Sequence, residues 1–376
     1  MQNNPSYPYK KMLEDPVDFS GWAGMSYHPA DLAEIRFGFF APNNPDDPVG
    51  SAMLKGATLA ILEANQAGGY GGVPFRLVHR WANDPWKAGS NEMIKLVYED
   101  QVWAIIGSHN GESSHIAEQI VTKARLPLLS PISSDPTLTY IRIPWIFRIP
   151  PDDHAQADLL IREGIIPMSI QRIGLITSTN HDGRIAASEF LQALKRRKLT
   201  PVYHFQISPD EIDYQHIVRH SVSFNPDGIL LRLPKEQLLQ IIDYFRKENL
   251  SCPLFIPWIP GLQEESLKSR YYGRIVMVQP FSMDRRNPRF SSFLRAYQKK
   301  FGSLPDPCAA YSYDAVNILV KGILTAGLNR AELRDAISGV NVYEGVTGQI
   351  VWDNGGGNVT LPVVSTIGET RSPATP

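Results

Sequence analysis

A chain of 376 residues with 43% hydrophobic content is long enough for two packed lobes and has the composition of an ordinary soluble globular protein. Its 37 basic side chains nearly balance 38 acidic ones, for a net charge of -1, so no basic face speaks for nucleic acid. No apolar run approaches the roughly 20 residues that span a bilayer, and the two cysteines, Cys252 and Cys308, read as separate thiols and not as a disulfide framework.

In chain order, residues 1–34 lack periodicity and carry no charged-then-apolar leader, so they are expected to form an arm, with any export signal lying outside this sequence. Regular alternation starts at the strand Ile35–Phe40 and a helix from about Gly50 to Asn65. Ala67-Gly68-Gly69-Tyr70-Gly71-Gly72 follows a helix and precedes the strand Phe75–Trp81. A phosphate-cradling loop needs the opposite order, so this is a helix stop and turn. A helix, Trp86–Glu99, leads to the stretch around which the chain is organised, Val102–Thr139.

There the strand Val102–Ile106 stops at Gly107 and passes through Ser108, His109, Asn110 and Gly111 into a helix carrying Ile116, Ile120 and Ala124 on one face. A second strand, Leu126–Leu129, ends in Ser130-Pro131-Ile132-Ser133-Ser134-Asp135-Pro136. Carboxyl ends of neighbouring parallel strands lie side by side, and helix amino termini aim unpaired N–H groups above them. Such a place suits a carboxylate. A hydrolase elbow is not read here, because His109 stands where the nucleophilic serine would be needed.

Tyr140–Pro151 is extended and proline-bounded, and a helix over Asp152–Gly164 opens a second set of alternating elements. Strands are expected at Arg172–Thr177, Val202–Ile207, Gly228–Leu233, Pro253–Trp258 and Arg274–Val278, with helices at Arg184–Lys198, Tyr214–Phe224 and Lys235–Asn249. Three further helices, Pro288–Phe301, Cys308–Ala326 and Ala331–Ser338, precede a closing hairpin of Gly348–Asp353 and Val359–Val364. Two α/β layer sets exchanging the chain more than once imply a cleft protein that closes by a hinge.

Several side chains have both a functional and a structural reading. His216 and His220 stand i, i+4 but lack a third ligand, so they read as solvated. Lys195-Arg196-Arg197-Lys198 reads as a solvated helix end. Arg232 interrupts an apolar strand near its carboxyl end and is either a ligand contact or half of a structural ion pair. Trp258, between Pro257 and Pro260, reads as a cleft wall, and Asp314 as structural.

Ile106-Gly107, Leu129-Ser130-Pro131 with Asp135-Pro136-Thr137-Leu138-Thr139, Phe147-Arg148, and Ala309-Ala310-Tyr311-Ser312-Tyr313-Asp314-Ala315 occur in the order and spacing of a known family. Over Ile35 to about Ile367 the chain resembles the type I periplasmic solute-binding proteins, in particular their leucine/isoleucine/valine-binding branch. The resemblance implies an α/β fold of two doubly wound parallel-sheet lobes joined by a three-strand hinge, with later crossovers near Gln279-Pro280 and Val346–Gly348. Lobe 1 is expected to hold residues 35–149 and 281–345, lobe 2 residues 150–280 and 346–367, with a tail at 368–376.

The resemblance also implies extracytoplasmic capture of a small ligand for an ABC transporter permease, without catalysis, cofactor, metal, nucleic acid or stable membrane insertion. Ser133 and Ser134 occupy the family's carboxylate-binding turn. The family's serine after the strand-ending glycine falls on Gly111, leaving Ser108, Asn110, Ser113 or backbone N–H groups to substitute. In the second lobe Asp182 replaces an aromatic contact, and the apolar Trp258 stands where amino-acid binders grip ammonium. An apolar or aromatic carboxylic acid is therefore preferred to a branched-chain amino acid, with Asp182 as the ammonium partner in the latter case and Arg232 as a second anion anchor. A ligand-sensing module signalling to a partner protein is the alternative from another class.

Overall fold

The computed structural model describes residues 31–44 and 47–368. The expected arm, apart from residues 31–34, and the expected tail beyond Gly368 lie outside the described residues. The chain divides into two units, one running to Asp152 and resuming over Phe281–Thr360, the other formed by Asp153–Pro280 and the segment from Leu361. It therefore crosses between them at Asp152/Asp153, Pro280/Phe281 and Thr360/Leu361.

The first unit begins with β1 (Ile35–Phe40), α1 (Pro48–Gln66), β2 (Phe75–His79), a π-helical turn at Pro85–Gly89, α2 (Ser90–Tyr98) and β3 (Ala104–Gly107). It continues with α3 (Gly111–Ala124), β4 (Leu128–Ser130), α4 (Thr137–Tyr140) and β5 (Ile146–Arg148). The five strands lie in the order β2-β1-β3-β4-β5, all parallel. Every residue of β3, β4 and β5 is buried, as expected of a parallel sheet covered on both faces. The Asp47 side chain accepts a hydrogen bond from Gly50 N (2.8 Å) and Pro48 occupies the first turn, so α1 starts where cap and proline together allow it.

The second unit opens with α5 (Asp153–Leu160), a π-helical turn at Ile161–Ile165, β6 (Ile173–Ser178), α6 (His181–Arg196) and β7 (Tyr203–Ile207). Then come α7 (Tyr214–Ser223), β8 (Gly228–Arg232), α8 (Lys235–Lys247), β9 (Leu254–Ile256) and β10 (Ile275–Gln279). The expected start of α6 at Arg184 moves forward to His181, because the Asn180 side chain accepts from Gly183 N (2.8 Å) and caps the helix there. Asp182 consequently lies in the helix's first turn. Ile229, Leu231, Leu238, Ile241, Phe245 and Ile256 are among the buried residues of one core cluster in this unit.

Back in the first unit, α9 (Pro288–Phe301) starts behind the Asn287 cap and ends at Gly302 in the left-handed region, φ 70°. It is followed by α10 (Pro307–Ala326), α11 (Arg330–Ser338), β11 (Tyr343–Gly345) and β12 (Gly348–Ile350), while β13 (Val363–Ile367) closes the second unit. The second sheet runs β13-β10-β9-β8-β6-β7, parallel except that β13 lies antiparallel on β10.

This end of the chain departs from expectation. β12 pairs with β11, and Val363–Ile367 pairs with β10. The anticipated hairpin survives as a single antiparallel bridge, Trp352 to Asn358. Its turn is closed by the Asp353 carboxylate, which accepts from Gly355 N and Gly357 N, both at 2.8 Å. Residues 346–360 thus pack with the first unit and not the second. Both cysteines are free, Cys252 half-buried and Cys308 buried.

Candidate functional site

In the first unit the chain leaves β3 at Gly107 and enters α3 through Ser108, His109 and Asn110. Asn110 caps the helix, its Oδ1 accepting from Ser113 N (2.9 Å) and from Ser113 Oγ (2.6 Å). The Ser113 hydroxyl is also 2.8 Å from Ser108 Oγ, and the Ser114 hydroxyl donates to Asn110 O (2.7 Å) while lying 3.3 Å from Ser130 Oγ at the end of β4. Ser108, Ser113, Ser114 and Ser130 are all fully buried. A chain of hydroxyls thus links two adjacent strand ends beneath the amino terminus of a 14-residue helix.

Ser133 and Ser134 lie in the turn after β4, both buried, and Ser133 Oγ accepts from Asp135 N (3.2 Å). Asp135 then folds its Oδ1 onto Thr137 N (2.8 Å) and Thr137 Oγ1 (2.6 Å), which holds the turn rigid. The structure therefore brings Ser108, Asn110, Ser113, Ser133 and Ser134 to neighbouring strand ends, with much of their hydrogen bonding spent on one another. Oriented N–H groups and hydroxyls of this kind can replace the hydration of an anion.

His109 packs edge-on against Trp81, ring centres 5.0 Å apart, and burial drives its pKa down to about 4, so it is neutral near pH 7. Its Nδ1 is 3.4 Å from both Ser108 Oγ and Ser113 Oγ, but Nε2 meets the Asn110 amide (3.1 Å) and not a carboxylate. The carboxylate that would orient such a histidine as a general base is replaced by an amide.

Sequence reasoning did not find the group beside this turn. His115 Nδ1 meets Glu118 Oε2 (2.5 Å), and its Nε2 meets Asp135 Oδ2 (3.1 Å) and Thr137 Oγ1 (2.9 Å). The Glu118 partner is visible as an i, i+3 pair, but nothing local announces Asp135, twenty positions on. Desolvation opposes charge on His115, yet the bonds to Asp135 and Glu118 outweigh it and raise its pKa from 6.5 to about 9.

A histidine whose folded pKa is raised contributes stability that is fully present below about 6.5 and lost as the pH climbs through about 9. After discounting for its partial exposure, the loss is on the order of 1–2 kcal/mol. Urea unfolding at pH 6 and pH 9.5 will show that decline in the native protein, and His115→Gln will flatten it. An unchanged slope in the variant would place the pH dependence elsewhere.

In the second unit β6 ends at Thr177 and Ser178, both buried, with Thr177 Oγ1 2.9 Å from His204 Nε2. Asp182 is half-buried in the first turn of α6. Arg232 is the last residue of β8, in register with Thr177 on β6, and is 7% exposed. Its Nε is buried without a hydrogen-bond acceptor. Of the two roles expected for Arg232, the structural ion pair is not formed with any described residue. Trp258 lies beyond the end of β9, buried, its backbone N–H donating to Gln156 Oε1 (2.8 Å).

Two parallel-sheet units, each with a long helix starting over its strand ends and joined by three chain crossings, define the class of two-domain α/β binding proteins. The chain belongs to the periplasmic binding protein family, whose sequence model matches residues 34–366, and it has that family's type I fold.

Among solved structures, it is similar to the branched-chain amino acid transporter substrate binding protein LivJ from Streptococcus pneumoniae in complex with isoleucine, at 22% identity. That match has a TM-score of 0.79 and covers 89% of this chain and 96% of the other. A solute binding protein of an ABC transporter from R. palustris in complex with benzoate matches at 20% identity and TM-score 0.77, over 88% of this chain and 92% of the other. The leucine-specific-binding protein of Salmonella typhimurium is 23% identical over 327 residues, 84% of this chain and 85% of that protein. Glutamate receptor 3.7 of Arabidopsis thaliana is 22% identical over 244 residues, 61% of this chain, and the matched stretch is 26% of the receptor's length. Among the described residues no helix is long and apolar enough to cross a membrane.

Proposed function

We propose that this protein captures a small carboxylate-bearing solute at its strand-end turns and delivers it to the permease of an ABC transporter, working in the periplasm or outside the cell. The observation that carries this reading is the buried hydroxyl cluster at the amino terminus of α3, placed beside the Ser133-Ser134 turn. Ser133, Ser134 and the first N–H groups of α3 receive the carboxylate, with Ser108, Asn110 and Ser113 holding that turn in shape. On the second unit Trp258 offers an apolar wall, and Asp182 is the group that would meet an ammonium. The relatives bound to isoleucine and to benzoate both take carboxylates, one with an ammonium and one without, which supports the carboxylate as the common element.

Losing one hydroxyl bonded to a charged group costs on the order of 1.5–3 kcal/mol. Calorimetry with a solute that stabilises the wild-type chain in a thermal-shift panel of leucine, isoleucine, valine, phenylalanine, benzoate and short keto acids should show that loss in Ser133→Ala or Ser134→Ala. If both variants bind like wild type, these serines only cap their own turn and the assignment falls. A sensor domain is the second reading, raised by the stretch shared with a plant glutamate receptor. A permease and an ATPase encoded beside this chain would decide for transport.

A further inference from the structure

We propose that His115 is the positioning residue of the carboxylate-receiving turn in the first unit: it fixes Asp135, and through Asp135 the hydroxyl of Ser133, and its charge offsets the acid that stands beside the incoming anion. This role rests on the proposed capture of a carboxylate and deepens it, because it makes the turn select an ionised carboxylate over the corresponding neutral amide.

His115 follows Ser114 on α3, and its ring reaches two acids. Nδ1 meets Glu118 Oε2 on the same helix at 2.5 Å, while Nε2 meets Asp135 Oδ2 at 3.1 Å and Thr137 Oγ1 at 2.9 Å in the turn after β4. A carboxylate at each ring nitrogen is satisfied only when both nitrogens carry hydrogen, so the geometry requires the imidazolium. Burial of the acids has the same consequence, since Glu118 and Asp135 are 5% and 2% exposed and shielded carboxylates need a counter-charge. Against desolvation, the bonds to Asp135 and Glu118 raise the His115 pKa to about 9, so the ring is charged at pH 7.

Asp135 is held on every side. Its Oδ1 accepts from Thr137 N (2.8 Å) and Thr137 Oγ1 (2.6 Å), its Oδ2 accepts from the imidazolium, and its backbone N–H donates to Ser133 Oγ (3.2 Å). Ser133 is thereby used as an acceptor within the turn, which leaves its hydroxyl proton for an oxygen outside it. Without His115 the turn would hold an uncompensated carboxylate next to Ser134, and a like charge so close disfavours an incoming anion. The imidazolium offsets that repulsion while the serine hydroxyls remain as donors. A neutral amide gains nothing from the added charge.

The test uses the whole chain at pH 7 and calorimetry on each acid of the thermal-shift panel that binds wild type, set against its own amide, as benzoate against benzamide and L-leucine against L-leucinamide. In His115→Gln the acid should weaken about tenfold more than the amide. His115→Lys, which returns a cation without the fixed ring, should recover part of that difference. A second readout needs no variant. NMR of the His115 ring in wild type should show its titration midpoint rise by about one pH unit on saturation with the acid, since a tenfold preference of the anion for the charged ring is by linkage a tenfold preference of the ring for its proton.

Equal losses of acid and amide in His115→Gln, or a His115 midpoint that stays in place on saturation, would reduce the residue to a strut of the turn and overturn the proposal. If His115→Gln does not fold, the midpoint decides alone. In those cases a loss of acid binding in Ser133→Ala still leaves the carboxylate-binding function standing. If no acid of the panel binds wild type, both readings fall together.

Discussion

Replacing Asp314 with alanine will destabilise the first unit by on the order of 3–5 kcal/mol, a large loss for the truncation of one side chain. Asp314 lies fully buried on α10. Its carboxylate accepts from Val346 N (2.9 Å), Thr347 N (2.9 Å) and Thr347 Oγ1 (2.6 Å), the groups that turn the chain from β11 to β12. Alanine would leave three buried donors without an acceptor, and each orphaned group costs about 1–3 kcal/mol. Asp314→Asn keeps an accepting oxygen but sets an amide NH2 against one of the donors, so it should cost less, and Thr347→Val, which removes only the hydroxyl, about 1 kcal/mol. Urea unfolding of the three variants checks this order. If Asp314→Ala unfolds at the wild-type midpoint, the β11–β12 pairing alone holds the turn.

Gly56→Leu carries the second large effect, expected at about 3 kcal/mol. α1 and α10 approach so closely that a Cβ built on Gly56 would overlap the Ala309 carbonyl, with the carbonyl carbon 2.7 Å away and Ala309 Cα 2.9 Å away. These are backbone atoms, so no rotamer change can make room and the helices must part. Gly56→Ala pits that overlap against a gain in helix propensity of about 1 kcal/mol, and the overlap should still win. Both variants should lower the urea midpoint in the order Leu beyond Ala. Wild-type stability in Gly56→Ala would mean that the two helices separate at little cost.

Two alternating α/β sets, the order of their strands along the chain and most helix starts were legible in the residues. Ile35–Phe40 and Pro288–Phe301 form over the ranges that local pattern predicts, the first as a short apolar run between polar ends, the second between an Asn-Pro start and a glycine stop. The serines of the first unit's turns were equally visible, because they sit beside the glycine and proline that end their strands. Such signals act over a few residues, where sequence distance and spatial distance are nearly the same.

Contacts between distant segments were decided only by the tertiary structure. The closing segment showed a turn at Asp353–Gly357 but not that β13 would leave it for the free edge of β10, since an apolar strand pairs with whichever edge the fold presents. Asp314 gave no hint of Val346 and Thr347, nor His115 of Asp135, because hydrogen-bond partners so far apart leave no periodic trace. Arg232 is the sharpest case. Its place in an apolar strand follows from the sequence, but that its Nε is buried with no acceptor among the described residues depends on every neighbour the fold brings near.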